Sequence, residues 1–448
     1  MKQSFADILQ GLDADRAQKV ARKLPDWAAV DAERRAAGLD ALEFPSALSL
    51  EQCSSTASAL YKCALAVRTS SCQLPPTIAD LSGARAPSGA ATECQRDFPK
   101  EVEATELPDE VGNAPSIGGS AQRWGFESRR SRMTILDLTG GLGVDAWAFA
   151  QAAERVVYFE RNAELAAAAG RNFSRLGADN IEVRCEEVTP QTGLPAADLI
   201  YADPARRDAA GRKVFLLEDC TPDILTLLPL LLRKAPAVLL KLSPMADLAM
   251  LAERLGPSLQ EMHVVELDGE VKEVLCLLCR QSAPSAAEPG IVIVRLYGQG
   301  AERILFRMSE EREASAVYAA GVQSGDVLLE PCPALLKAGA FRLPCARWGL
   351  QKLAASTHLY VLPGTETCPG VPGDRFFKAR RVLEVLPFGA AAFKALRRRY
   401  PRAEVTARNL PLGSDALRRK MGLAPGGDVH IFGCRLADGR AVLIATGR

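Results

Sequence analysis

The run Ile135-Leu-Asp137-Leu-Thr139-Gly140-Gly141-Leu-Gly143-Val-Asp145 joins an apolar strand to a carboxylate, a glycine-dense turn and a helix opening Val144-Asp-Ala-Trp-Ala-Phe-Ala150. Gly140, Gly141 and Gly143 permit positive φ and remove the Cβ that would hold a ligand off the backbone. Free N–H groups at a helix start favour a negative ligand group. That chemistry suits a nucleotide cofactor.

Two cofactors compete for the loop. Gly141-Leu-Gly143-Val-Asp-Ala146 fits the dinucleotide pattern, and Glu160, closing Val156-Val-Tyr-Phe-Glu160, stands where a ribose-binding acid is expected. Asp137, however, precedes the glycines inside the strand end, where it can accept from a cationic amino group or hold loop amides. The fourth strand ends in Asp203-Pro204-Ala205-Arg206-Arg207-Asp208, which has no role in hydride transfer. These features favour S-adenosylmethionine (SAM) over NAD. Asp137, Thr139, Gly140, Gly141, Gly143 and Asp145 would take its methionine end, Glu160 its ribose hydroxyls, and Glu187, after the third strand, its adenine side.

Methyl transfer from a sulfonium is an in-line displacement, so the protein has chiefly to align the nucleophile and handle its proton. Asp203-Pro204 suits this, because side chain and Pro-constrained backbone carbonyl can accept from one amino group. Arg206 and Arg207 could stack on a base or grip a phosphate, or form a solvated charged loop. Lys241 and Ser243, in Leu239-Leu-Lys-Leu-Ser-Pro-Met-Ala-Asp247, end the fifth strand on the substrate side or in an ordinary loop. Trp147 and Phe149 read as core.

The runs Asp137–Asp145, Phe159-Glu-Arg-Asn162, Tyr201–Cys220 and Leu239–Leu248, in this order, resemble class I SAM-dependent methyltransferases. The likeness is to the bacterial group with a C-terminal THUMP-like domain. It extends upstream to Leu50–Lys62, similar to the group's N-terminal helical segment. Downstream, Leu329–Phe341 and Ser356–Tyr360 resemble its small ferredoxin-like module. The resemblance implies methylation of a base in structured RNA, tRNA favoured over rRNA. A catalytically silent RNA-binding protein, or a methyltransferase for a small molecule or protein, is the alternative. Amino-directed nucleic-acid methyltransferases usually carry Pro and an aromatic where this chain has Ala205 and Arg206, which leaves the target atom open.

Among the 448 residues, 48% are hydrophobic and 24% charged, as in globular proteins with more than one core. No uncharged apolar run reaches membrane-spanning length, and the start, Met1-Lys-Gln-Ser-Phe-Ala-Asp7, lacks a signal-peptide apolar region, so a cytoplasmic protein is expected. With 3 His, and with Cys276 and Cys279 on opposite strand faces, no metal site is expected. Net charge is only +1, yet from Val371 onward 16 Lys and Arg face 6 Asp and Glu. That basic end, with Arg397, Arg398 and Arg399 in one run, fits an RNA partner.

The elements that must position these residues follow from periodicity. Residues 1–67 read as helices, and 68–131 as a flexible low-complexity insertion. From 132 to 285, strands and helices alternate into a seven-stranded Rossmann-like α/β sheet, the class I methyltransferase domain, whose last two strands form an antiparallel hairpin at Asp268-Gly269 on the sheet edge. A ferredoxin-like module is expected over 286–365. A basic α+β THUMP-like module is expected over 370–448, with a helix Ser414–Met421 capped by Ser414 and stopped by Gly422.

Overall fold

The structure is a computed structural model that describes residues 5–70, 131–205, 220–280, 288–297, 300–362 and 373–447. The insertion expected at 68–131 falls almost wholly outside the described residues, as do Arg206 and Arg207. The chain divides into two compact units, one mainly Met1–Met262 and one mainly Arg303–Arg448.

The first unit opens with helices Phe5–Gln10, Ala14–Lys23, Pro25–Ala36, Ala47–Gln52 and Thr56–Ser70. Asp13 and Ser46 cap two of them, accepting the N–H groups of Arg16 (2.9 Å) and Ser49 (3.1 Å). Trp27, fully buried, meets Phe44 at 6.3 Å and the edge of Trp147 at 6.2 Å. The helical segment is thereby packed on the helix Val144–Ala150, and Trp147 and Phe149 are core residues as expected.

The strands are β1 (Ser131–Asp137), β2 (Ala153–Phe159), β3 (Ile181–Arg184), β4 (Leu199–Ala202), β5 (Ala237–Leu242), β6 (Leu259–Leu267) and β7 (Glu270–Cys279). They lie in the order β3-β2-β1-β4-β5-β7-β6. The first five are parallel and β7 runs antiparallel to β5. Near-continuous apolar runs such as Val238–Leu240 on β5 are buried, as a parallel sheet covered on both faces requires. The helices Ala163–Arg175 and Ile224–Lys234 begin at Asn162 and Asp223, whose side chains accept N–H groups of the first turn. The expected hairpin forms, but it is not the sheet edge. Strands β8 (Gly290–Tyr297) and β9 (Gly300–Arg307), which the sequence groups with the small module, extend the same sheet to nine strands.

The second unit holds a seven-stranded sheet of order β11-β12-β10-β13-β16-β15-β14. Its strands are β10 (Val327–Pro331), β11 (Gln351–Ala354), β12 (Thr357–Leu362), β13 (Phe377–Pro387), β14 (Glu404–Arg408), β15 (His430–Arg435) and β16 (Ala441–Thr446). β13 pairs with β10 on one side and β16 on the other, so one long strand joins both halves of the sheet. The helix Ser414–Met421 is capped by Gly413 rather than Ser414, whose hydroxyl accepts the Ala407 N–H at 3.0 Å instead. Gly422 closes it at φ 71°.

Candidate active site

Because β1, β4 and β5 are parallel neighbours, their C-terminal ends open on one edge, where open α/β sheets bind ligands. Asp137 ends β1 and is fully buried. Its Oδ1 accepts the Thr139 N–H at 3.1 Å, while Oδ2 has no partner. Burial, then the nearby carboxylates Asp145, Asp203 and Glu160, hold its carboxyl well above the usual 3.8, against the Thr139 hydrogen bond. A partnerless buried carboxylate oxygen at a glycine loop is a ready acceptor for an ammonium group.

The loop glycines have different duties. A Cβ on Gly143 (φ 84°) would strike the Phe173 ring at 2.4 Å, and one on Gly140 would strike Tyr158 at 1.9 Å. Gly141 (φ 55°) instead faces open space. Glu160 fixes the turn. Its two oxygens accept the Gly141 N–H at 2.8 Å and the Asn162 N–H at 2.7 Å. Tyr158 Oη donates to the Gly141 carbonyl at 2.5 Å.

Asp203 and Lys241, predicted from separate motifs, meet directly. Lys241 Nζ bonds to Asp203 Oδ2, and the Asp203 N–H donates to Thr139 Oγ1 at 2.6 Å. Burial works against the Lys241 charge, but Asp203, Glu273 and Asp145 together push its pKa above the usual 10.5. Pro204 is buried behind Asp203, and Ala205 pairs with Thr221 in both backbone directions, at 2.8 and 3.1 Å. The Asp-Pro segment is thus tied to the glycine loop on one side and to Thr221 on the other.

Asp145, expected at the cofactor, faces inward. Lys62 Nζ donates to its Oδ1 at 2.8 Å, while Ser54 Oγ (2.8 Å) and Tyr201 Oη (2.9 Å) donate to Oδ2. Burial opposes ionisation, yet Lys62 and Lys241 hold the carboxyl below its usual 3.8. Lys62, fully buried, also donates to Ser54 Oγ at 2.7 Å and lies 3.5 Å from Glu273 Oε2. Ser58 Oγ completes the cluster, 2.5 Å from Glu273 Oε1. Sequence reasoning missed Lys62, Ser58, Tyr201 and Glu273. The available signal was Ser54, Ser58 and Lys62, polar residues at the four-residue spacing of one helix face.

Glu187 is exposed and pairs with Arg161 at 3.2 Å, at a distance in sequence and in bonding from the Asp137 cluster. In the second unit Arg397, Arg398 and Arg399 are all exposed on the helix Ala390–Arg399. Arg399 is paired with Glu384, and Arg397 lies over Gly422. The nine described cysteines are free thiols. Among the described residues no His, Cys, Asp and Glu cluster could hold a metal, and no helix is long and apolar enough to cross a membrane.

Residues 378–448 match a family model described as THUMP domain-like, and residues 328–365 one described as a ferredoxin-like domain. The crystal structure of a "putative methyltransferase" from Porphyromonas gingivalis W83 is similar over 100% of this chain and 94% of that chain, at 29% identity and a TM-score of 0.69. A precorrin-6y C5,15-methyltransferase from Geobacter metallireducens GS-15 aligns with 36% of this chain and 87% of its own, at 13% identity and a TM-score of 0.24. An rRNA methylase from Streptococcus thermophilus aligns with 38% of this chain and 98% of its own, at 14% identity and a TM-score of 0.26. No curated protein matches the chain. Sheet order, the full-length structural match and the family models together give the chain a class I methyltransferase fold, a ferredoxin-like domain and a C-terminal THUMP-like domain.

Proposed function

We propose that the protein is a SAM-dependent methyltransferase acting on a base of structured RNA, tRNA before rRNA. SAM supplies a sulfonium-bound methyl group. The residues present fit it: Asp137 offers a partnerless buried oxygen to the amino group, and Gly141 leaves open space beside the loop. Asp137, Thr139, Gly140, Gly141, Gly143 and Glu160 are assigned to holding the cofactor, with Glu187 at its exposed adenine end. Asp145 is assigned to fixing the helix start from behind.

The observation that carries the reading is the junction of the two motifs: the Asp203 N–H on Thr139 of the glycine loop, and its carboxylate on Lys241. Lys241 occupies Oδ2, so Oδ1 is left to accept from the target N–H and align its lone pair. Pro204 fixes the backbone carbonyl as a second acceptor. Arg206 and Arg207 follow at once in the chain and are assigned to the RNA, as are Arg397 and Arg398 in the THUMP-like domain.

Transfer of labelled methyl from SAM to total tRNA, rRNA or protein tests this. The reading expects label in tRNA. Label only in protein or small molecules would replace the RNA assignment, and none in any fraction would make the fold a catalytically silent one.

A further inference from the structure

The second unit contains a cavity that the proposed chemistry does not use. It measures about 390 Å3, within the range of small-ligand pockets, and is lined by Glu311, Tyr318, Phe341, Arg342 and Lys352 among others. The Lys352 N–H donates to the Val317 carbonyl at 2.7 Å and the Ala319 N–H to the Lys352 carbonyl at 3.0 Å, so Tyr318 is held in register beside Lys352. Tyr318 itself is 44% exposed.

Lys352 is 2% exposed. Its ammonium donates to the Ala355 carbonyl at 2.8 Å and sits 5.4 Å from the Phe341 ring centre. Among the described residues no carboxylate pairs with it. Burying an ammonium without a counter-ion is strongly unfavourable, and burial holds the Lys352 pKa below its usual 10.5. Glu311 favours the Lys352 charge from a distance but forms no ion pair with it. Its oxygens accept the N–H groups of Arg342 and Leu343, each at 2.8 Å, and Oε1 lies 3.5 Å from Arg342 Nε, so Glu311 fixes the loop and the guanidinium of Arg342. Phe341 is braced by His358, stacked on it at 3.9 Å.

A buried cation with no ion-pair partner, a second cation held by one carboxylate, and a half-exposed aromatic, all lining one cavity, call for an anion with a flat ring. We propose that this cavity binds a nucleotide unit, its phosphate on Lys352 and Arg342 and its base on the face of Tyr318. No Asn or Gln lines the cavity, so the base is held by its face and not read by its edge. That the nucleotide belongs to RNA rests on the proposed function; that it is an anion with a planar ring does not.

The test uses the full chain, with AMP, inorganic phosphate and a short single-stranded RNA as probes in titration calorimetry. Lys352→Met keeps the length of the side chain and removes the charge, and should melt at or above the wild-type temperature. It should weaken RNA binding about fivefold and reduce the slope of log K against log salt by about 1. Tyr318→Ala should weaken RNA and AMP about fivefold or more while leaving phosphate binding and the salt slope unchanged. RNA binding lost without AMP binding in the wild type identifies an RNA nucleotide; AMP binding that is lost in Lys352→Met identifies a free-nucleotide site. The second outcome stands even if the chain proves unable to methylate RNA. Wild-type affinities for all three probes in both variants would overturn the proposal, and Tyr318→Ala decides it alone if Lys352→Met fails to fold.

Discussion

Lys62, in the N-terminal helical segment, donates to Asp145 across 83 residues of chain, at 2.8 Å and with its own side chain fully buried. With Ser54, Tyr201 and Glu273 on the same cluster, it ties the helical segment to the helix that follows the glycine loop. The N-terminal segment is therefore part of the site's support.

Removing that cation leaves Asp145 and Glu273 buried without their direct ion-pair partner, with only the more distant Lys241 charge to offset them. Lys62→Met should destabilise the protein by about 3–5 kcal/mol, read by denaturant unfolding. Adding Asp145→Asn and Glu273→Gln to the same chain should recover most of the loss. If Lys62→Met alone is neutral, the cluster does not hold the fold. Asp145 sets the acid limb: its carboxyl is held below 3.8, so its contribution is present above 3.8 and is lost as pH falls through the lower folded value.

Asp137 has the opposite sign. Its carboxyl is raised, so the folded state binds more protons than the unfolded chain above 3.8, and stability falls as pH rises through the folded value. Asp137→Asn removes that penalty and keeps an acceptor for the Thr139 N–H. It should raise the melting temperature at pH 8 and weaken SAM at least tenfold, the loss of a charged hydrogen bond worth roughly 1.5–3 kcal/mol. Unchanged SAM affinity with a raised melting temperature would remove Asp137 from the cofactor site.

The candidate site's edge was readable in sequence because a parallel sheet puts motif residues at strand ends: Asp137 on β1, Asp203 after β4 and Lys241 on β5 follow from strand assignment alone. β5, the helix Ser414–Met421 and β16 have the boundaries that apolar periodicity gives. Long-range partners were not readable. Asp145 looks like a first-turn helix acid, and nothing local shows that Lys62 takes its charge. β13 escaped because Lys378, Arg380 and Arg381 break the apolar alternation, although Arg380 is buried in the finished sheet. Likewise β8 and β9 are strands in sequence, but which sheet they join is a tertiary fact.

The exposed arginines of the THUMP-like domain should act on RNA without touching the cofactor. Reversing Arg397, Arg398 and Arg399 should lower the slope of log K for RNA against log salt by roughly 2–3, with SAM affinity unchanged. Arg398 alone should account for about 1, because Arg399 is already paired with Glu384. A wild-type slope in the triple variant would make this helix face a solvated surface.

Methyl transfer and SAM affinity measured side by side for wild type and Asp203→Ala test the central claim most directly. The account predicts tritium transfer to tRNA by the wild type, loss of at least a hundredfold in the variant as expected for a positioned proton acceptor, and SAM affinity within about twofold. Transfer at the wild-type rate by Asp203→Ala, with SAM still bound, would contradict it.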